Sequence, residues 1–279
     1  MLRDGPRPGA WNMALDETLA RRLGPGRAVL RLYGWTCPTV SFGRNEPARD
    51  VYREPAEAGV GGSPSDVALD FVRRPTGGRA VLHDAEVTYA VVAPFDAMGG
   101  ARRAYRRINA ALADGLRSLG ADVGIAGDGG DGLPSLDAGP CFQGPAPGEV
   151  IAGGRKLVGS AQARIGRNLL QHGSIILRGD QSALSALATP PASPSMPSRP
   201  LPVTGATTPA SATLPGRPAT LEELIGNVEP ETVERVLARS VTEAFGGHAV
   251  ESVVSREEDD DARALVASRY GRSSWTWRR

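Results

Sequence analysis

Apolar residues recur at three- and four-residue steps in two long stretches of the chain. Tyr105, Ile108, Leu112, Leu116 and Leu119 share one face of the segment 102–119, a spacing that predicts an amphipathic helix. Met13, Ala14, Leu15, Thr18, Leu19 and Leu23 form a second such stripe over 11–23, with Asn12 as its expected N-cap. Shorter apolar runs, bounded by Gly, Pro and polar clusters, predict strands at 28–33, 38–42, 69–73, 80–82, 87–93, 121–126 and 169–177. The pair Gly153-Gly154 predicts a hairpin turn between strands at 149–152 and 156–164. A short helix is expected at 54–58, a loop insertion at 61–66 and a Gly- and Asp-rich loop at 127–139.

The pattern then fails. Pro, Ser, Thr and Ala dominate 189–218, which has little to bury and is expected to be a disordered linker. Beyond it, periodicity returns as helices at 221–225, 230–245 and 256–269, with a strand near 248–254. The expectation is an α+β chain with a largely antiparallel sheet flanked by helices. Its core would span 1–188, and a small C-terminal helical part, 219–279, would pack on that core. No internal repeat is visible.

Composition narrows the function classes. A net charge of +1 over 279 residues gives no bulk argument for nucleic-acid or membrane binding. The acidic run Glu257 to Asp261 reads as a solvated helix start. No apolar run approaches the roughly 20 residues of a membrane span, and Met1 to Pro6 lacks a signal-peptide core. Two distant cysteines, Cys37 and Cys141, do not make a disulfide framework. A reducing, cytoplasmic setting is expected.

Lysine usage is the sharpest compositional signal. Of 32 Lys and Arg residues, Lys156 is the one lysine and 31 are arginine. A chain that has settled on arginine elsewhere keeps here a compact amine, whose pKa moves readily on burial. It is either a leftover surface lysine or a functional ammonium. Cys141 lies 15 residues upstream. A free thiol with pKa about 8.5 is only a few per cent thiolate at pH 7, and an adjacent ammonium that lowers it to about 7 raises that fraction roughly fifteen-fold. Lys156 is the natural candidate for that ammonium. Cys141 also fits a small buried hydrophobe, and Cys37, without a nearby lysine in sequence, is read as structural. The turn Arg74-Pro-Thr-Gly-Gly78 leaves a strand with two adjacent glycines, which permit close approach of a ligand to the backbone or simply a tight turn. It is not a P-loop. No His/Cys/carboxylate cluster has metal-ligand spacing, so no metal is expected.

Four blocks in order then resemble a known family: Asn12-Met-Ala-Leu-Asp-Glu17, Arg73-Arg-Pro-Thr-Gly-Gly-Arg-Ala-Val-Leu-His-Asp84, Cys141-Phe142 and Gly154-Arg-Lys-Leu-Val-Gly-Ser-Ala-Gln162. They are similar to the lipoate–protein ligase and octanoyltransferase family, which shares its fold with biotin protein ligases. A cysteine upstream of the lysine resembles the Gram-positive type of octanoyltransferase. The resemblance implies a ping-pong transfer of octanoyl from acyl carrier protein, through a Cys141 thioester, to a lysine of a lipoyl domain such as glycine cleavage H protein. It implies Cys141 and Lys156 as catalytic residues. Arg74, Thr76, Gly77, Gly78, His83, Gly159, Ser160 and Ala161 would bind substrate, and N–H groups near Gly77-Gly78 or Gly159-Ser160 would stabilise the oxyanion. Val81 and Val158 are expected along the acyl tunnel. No cofactor is implied; ATP enters only under the alternative of an ATP-dependent lipoate–protein ligase. A non-catalytic acyl- or carrier-binding module is a third reading. Arg73 and Arg74 either meet a pantetheine phosphate or acidic carrier, or are solvated. Asp16 and His172 match the family and read as structural; His248 is unremarkable. Where the family usually places a Gln after Ser41-Phe-Gly43, this chain has Arg44-Asn-Glu46.

Overall fold

A computed structural model describes residues 1–52, 69–127, 146–188 and 217–278. The helix expected at 54–58, the insertion at 61–66, Cys141, Phe142 and all but the end of the linker lie outside the described residues. In chain order the strands are β1 (Leu2–Arg7), β2 (Val29–Trp35), β3 (Thr39–Phe42), β4 (Asp70–Arg73), β5 (Val81–His83), β6 (Glu86–Pro94), β7 (Gly124–Ile125), β8 (Val150–Ala152), β9 (Arg155–Lys156), β10 (Val158–Ile165) and β11 (Asn168–Ile176). The helices are α1 (Gly9–Arg22), α2 (Ala48–Val51), α3 (Ala101–Ser118), α4 (Ser182–Leu187), α5 (Leu221–Ile225), α6 (Pro230–Phe245), α7 (Arg256–Leu265) and α8 (Ser273–Thr276).

The main sheet has the order β1-β2-β6-β11-β10 and is antiparallel apart from the parallel pair β1/β2. Its central strands are buried on both faces, and the period-2 alternation of side chains sorts them into two cores. Leu30, Leu32, Val87, Tyr89, Val91 and Leu169 pack under α3 and α6. Tyr33, Ala90, Val92 and Leu170 pack under α1 and α7. A second sheet, β4-β3-β5, carries the turn at 74–80 and closes on α4, Tyr52 and Trp277. The C-terminal helices therefore complete both cores: α6 lies on α3 and α7 on α1.

Several expectations change. Helix α1 starts at Gly9 after Pro8, and Asn12 is not its cap. Asn12 is buried inside the helix and donates to the carbonyls of Arg7 and Gly34, tying α1 to β1 and β2. Strand β1 escaped the pattern because Gly5 and Pro6 interrupt it. The hairpin turn is as expected, with φ of 53° and 74° at Gly153 and Gly154, the positive values a type I′ turn demands. Its second strand, however, ends at Lys156, and the chain crosses at Leu157 into the main sheet as β10. The strand expected near 248–254 is a single bridge from Ser252 to Leu2. The acidic run does open a helix, α7, under a Ser255–Glu258 capping box. Helices α4 and α8 are too short for periodicity to reveal.

Candidate active site

A cleft opens on the α1 side of the main sheet, between that sheet and the β3–β4–β5 layer. Its lining includes Met13 of α1, Ser41, Arg74, Gly78, Val81 and His83 of the β3–β4–β5 layer and its turn, and Tyr33, Trp35, Gly159, Ser160, Ala161, His172 and Ser174 of the main sheet. Strand register explains the grouping. Gly159 faces Ser174, Ser174 faces Thr88, and Thr88 faces Tyr33, so one row of residues crosses four strands. At about 4.8 Å per strand the row is roughly 14 Å long.

The glycine-rich turn forms one wall. Arg74 donates to the carbonyls of Gly77, Ser41 and Arg79, closing residues 74–79 upon themselves. Gly78 has φ of +87°, and a Cβ on Gly43 would lie 1.8 Å from the Gly78 carbonyl oxygen. The two glycines are thus required by backbone-on-backbone packing. Thr76 and Gly77 do not line the cleft. Thr76 is instead an anchor, its Oγ1 lying 2.6 Å from His172 Nε2.

Two histidines stand on the cleft with a carboxylate behind each. His172 Nδ1 is 2.8 Å from Asp16 Oδ2, which also accepts from Tyr33, while Asp16 Oδ1 accepts from buried Arg31 at 2.8 Å. Burial lowers the His172 pKa despite its bond to the Asp16 carboxylate. Burial alone would raise the Asp16 pKa, but His172 and Arg31 outweigh it and hold the carboxyl below its ordinary value. The pair is therefore neutral imidazole beside carboxylate, with Nδ1–H donating to Asp16 and Thr76 donating to Nε2. His83 has the same plan: Nδ1 is 2.8 Å from Glu86 Oε1, Nε2 is 2.7 Å from Ser41 Oγ, and Trp35 stacks on the ring at 4.0 Å.

Lys156 is buried just before the cleft's β10 wall. Its Nζ donates to Glu149 Oε1 at 2.6 Å, and Glu149 Oε2 accepts from the Ala146 N–H at 2.8 Å. Ala126 N–H donates to the Glu149 carbonyl at 2.8 Å and the Ala126 carbonyl accepts from Gly148 N–H at 2.9 Å, so the two described ends of the 128–145 segment meet beside this pair. Ser160 continues inward to Tyr89 and Asn109, and Gln171 donates to both of these. Asn109 in turn donates to the Gly148 carbonyl at 2.8 Å.

Of the residues singled out in the sequence, Arg74, Gly78, Val81, His83 and the Gly159–Ala161 run line the cleft, and Lys156 lies buried beside its β10 wall. Val158 does not line the cleft but points into the core under α3. Glu149, Asn109, Tyr89 and Gln171 went unnoticed: each is an ordinary residue whose partner is distant in sequence. Glu149 alone carried a signal, as the carboxylate across the hairpin from the lone lysine. Arg73 is neither solvated nor at the cleft. It is fully buried, and its guanidinium donates to the carbonyls of Gly43, Glu46, Trp275, Thr276 and Arg278. Glu46, the residue of the unexpected Arg44-Asn-Glu46 run, is buried too; it accepts from the N–H groups of Gly43 and Ala80 and from Tyr52. Its carboxylate fastens the turn to β3. Cys37 is a half-buried free thiol.

Comparison with known proteins agrees with this geometry. The Lipoyl protein ligase A/B catalytic domain family matches residues 8–238. The octanoyltransferase LipM of Kyrpidia tusciae is 38% identical, covering 100% of this chain and 98% of its own. The octanoyltransferase LipM of Moorella thermoacetica is also 38% identical, over 96% of this chain and 93% of its own. A putative lipoate protein ligase of T. acidophilum, solved with bound lipoic acid, superposes with a TM-score of 0.72 at 21% identity, covering 99% of this chain and 96% of that one. The chain belongs to the lipoyl protein ligase A/B family. Within it, the chain is an enzyme of the acyltransferase kind.

Proposed function

We propose that this octanoyltransferase works through a thioester on Cys141, with Lys156 as its charged partner. Octanoyl transfer in lipoate biosynthesis is the reaction of the chain; the route is our reading. The Cys141 thiolate attacks the carbonyl carbon of octanoyl–acyl carrier protein. The carbon–sulfur bond to the carrier breaks, and the carrier leaves as a thiol after taking up a proton. The neutral ε-amine of a lysine on a lipoyl domain, such as that of glycine cleavage H protein, then attacks the octanoyl-Cys141 carbonyl. An amide forms, Cys141 leaves as thiolate, and the amine's second proton is released.

The observation that carries this reading is the buried Lys156–Glu149 pair, set where both described ends of the Cys141 segment meet. An ammonium there favours a nearby thiolate. The row from Gly159 to Tyr33 gives an eight-carbon chain a surface to lie on, its carbonyl end toward Gly159 and Ser160. Because β10 is an edge strand, alternate N–H groups point away from β11 and can meet an oxyanion. The chemistry needs neither metal nor ATP.

Intact-protein mass spectrometry after incubation with octanoyl–acyl carrier protein, without ATP, tests it. Wild type gains one hydroxylamine-labile octanoyl group and Cys141→Ala gains none. An unmodified wild type, or an adduct retained by Cys141→Ala, would overturn the proposal.

A further inference from the structure

Three arginines follow one another through the block that makes the glycine-rich turn, and they are not alike. Arg73 and Arg74 donate to main-chain carbonyls, as described above. Arg79 is only 8% exposed, yet its Nη1 is buried without a hydrogen-bond partner among the described residues. A buried cationic donor left unmatched is costly, so such a group marks a place where an anion belongs. The surroundings point the same way. Arg278 donates to the Arg44 carbonyl, Arg73 donates to the Arg278 carbonyl, and Arg44 N–H donates to Thr76 within the turn itself. Arg73 donates to the Glu46 carbonyl, and the charges of Arg74 and Arg79 both reach Tyr52, which donates to the Glu46 carboxylate. That carboxylate accepts from two backbone N–H groups and Tyr52 rather than from a guanidinium. Carbonyl acceptors satisfy hydrogen bonds but leave positive charge uncompensated.

We infer that Arg79 binds the phosphate of the acyl donor's phosphopantetheine arm. The inference rests on the thioester reading above and adds the subsite that holds the donor. Guanidinium groups match phosphate oxygens in charge and in geometry. Arg79 is nine-tenths buried, so the carboxylates on a folded partner's surface do not reach it. It also adjoins Gly78 on the cleft wall, and in the donor the phosphate is tethered covalently to the thioester.

The test compares octanoyl-phosphopantetheine with octanoyl-pantetheine, which differ only in the phosphate, as donors for octanoyl-enzyme formation. Wild type is expected to prefer the phosphorylated donor by about tenfold or more, the worth of about 1.4 kcal/mol. In Arg79→Met that ratio falls toward one, and in Arg79→Lys it lies between. Both donors are assayed on one preparation, so the ratio does not depend on the fraction folded. Should Arg79→Met not fold, inorganic phosphate on the wild type decides: it competes with the phosphorylated donor and spares the other at matched ionic strength. A wild-type ratio near one, an unchanged ratio in Arg79→Met, or phosphate inhibiting both donors alike would each refute the subsite. If Arg79→Met slows octanoyl–acyl carrier protein while the small-donor ratio persists, the cluster serves the carrier's surface instead. A wild type that takes octanoyl from no donor refutes the thioester route, a separate failure.

Discussion

At the scale of single residues, the lone lysine explains why arginine was not substituted there. Lys156 and Glu149 are both almost fully buried, so each is the other's compensation. Replacing Lys156 by Met strands a buried carboxylate and should cost about 3–5 kcal/mol in chemical denaturation. Arginine keeps the charge but not the compact amine. Lys156→Arg should therefore fold with a smaller loss, yet form octanoyl-enzyme at least about tenfold more slowly. Equal rates for Lys156→Arg and wild type in a single-turnover assay would remove the amine from the mechanism. Glycines test the same scale from the backbone side. A Cβ on Gly173 would meet the Gly159 carbonyl oxygen at 2.2 Å and Tyr89 at 2.9 Å, so Gly173→Ala must push β11 from β10. A lowered unfolding midpoint with lost octanoyl transfer is expected, whereas Gly124→Ala, with nothing within 4 Å, should keep both. What the sequence showed here was chemistry-bearing types in odd places: one lysine, paired glycines, a histidine in a matched block. It did not show Glu149 or Asn109, whose meaning depends on what faces them across a fold.

At the scale of elements, Asp16 and His172 join helix α1, strand β11 and the glycine-rich turn through Thr76. The pair sets a pH dependence whose sign follows from its pKa shifts. His172 is held neutral by burial, below its ordinary value, so the unfolded chain binds its proton first as pH falls. Stability should begin to drop near pH 6.5, the unperturbed histidine value, with a slope of at most about 1.4 kcal/mol per pH unit from this group. Asp16 is shifted downward also, so its contribution is present above the ordinary aspartate value, near pH 4, and is lost only as pH falls through its lower folded one. Both act in the same direction, in separate windows. Urea titrations of wild type and His172→Gln between pH 7 and 5 should show the upper window flattened in the variant; parallel curves would contradict a neutral His172. The strands and long helices of this architecture were legible because their burial is periodic. Asn12 was misplaced for the same reason: its polarity suggested a cap, while the fold uses it inside a helix to hold two strands.

At the scale of the whole molecule, the chain's far end supports the layer that carries the turn. Trp277 is buried against Phe42 and Phe71 at ring distances of 5.1 Å each, and Arg73 binds the carbonyls of Trp275, Thr276 and Arg278. Nothing in Ser273-Ser-Trp-Thr-Trp-Arg278 has a period that announces this, because its partners lie some 200 residues earlier. The β4-β3-β5 sheet supplies Ser41, Arg74 and His83 to the cleft, so its integrity and the site's should fail together. Trp277→Ala removes a buried aromatic and should cost about 3–5 kcal/mol. Removing residues 273–279 does that and also strips buried Arg73 of three carbonyl acceptors, so the loss should be larger. Native-state hydrogen exchange separates this from general destabilisation. Amides of β3 and β4 should lose protection in the truncated chain at conditions where those of β6 and β11, buried in the main sheet, keep theirs. Uniform loss across both sheets would mean that the two layers unfold as one unit and that the tail supports the whole molecule rather than the turn-bearing layer.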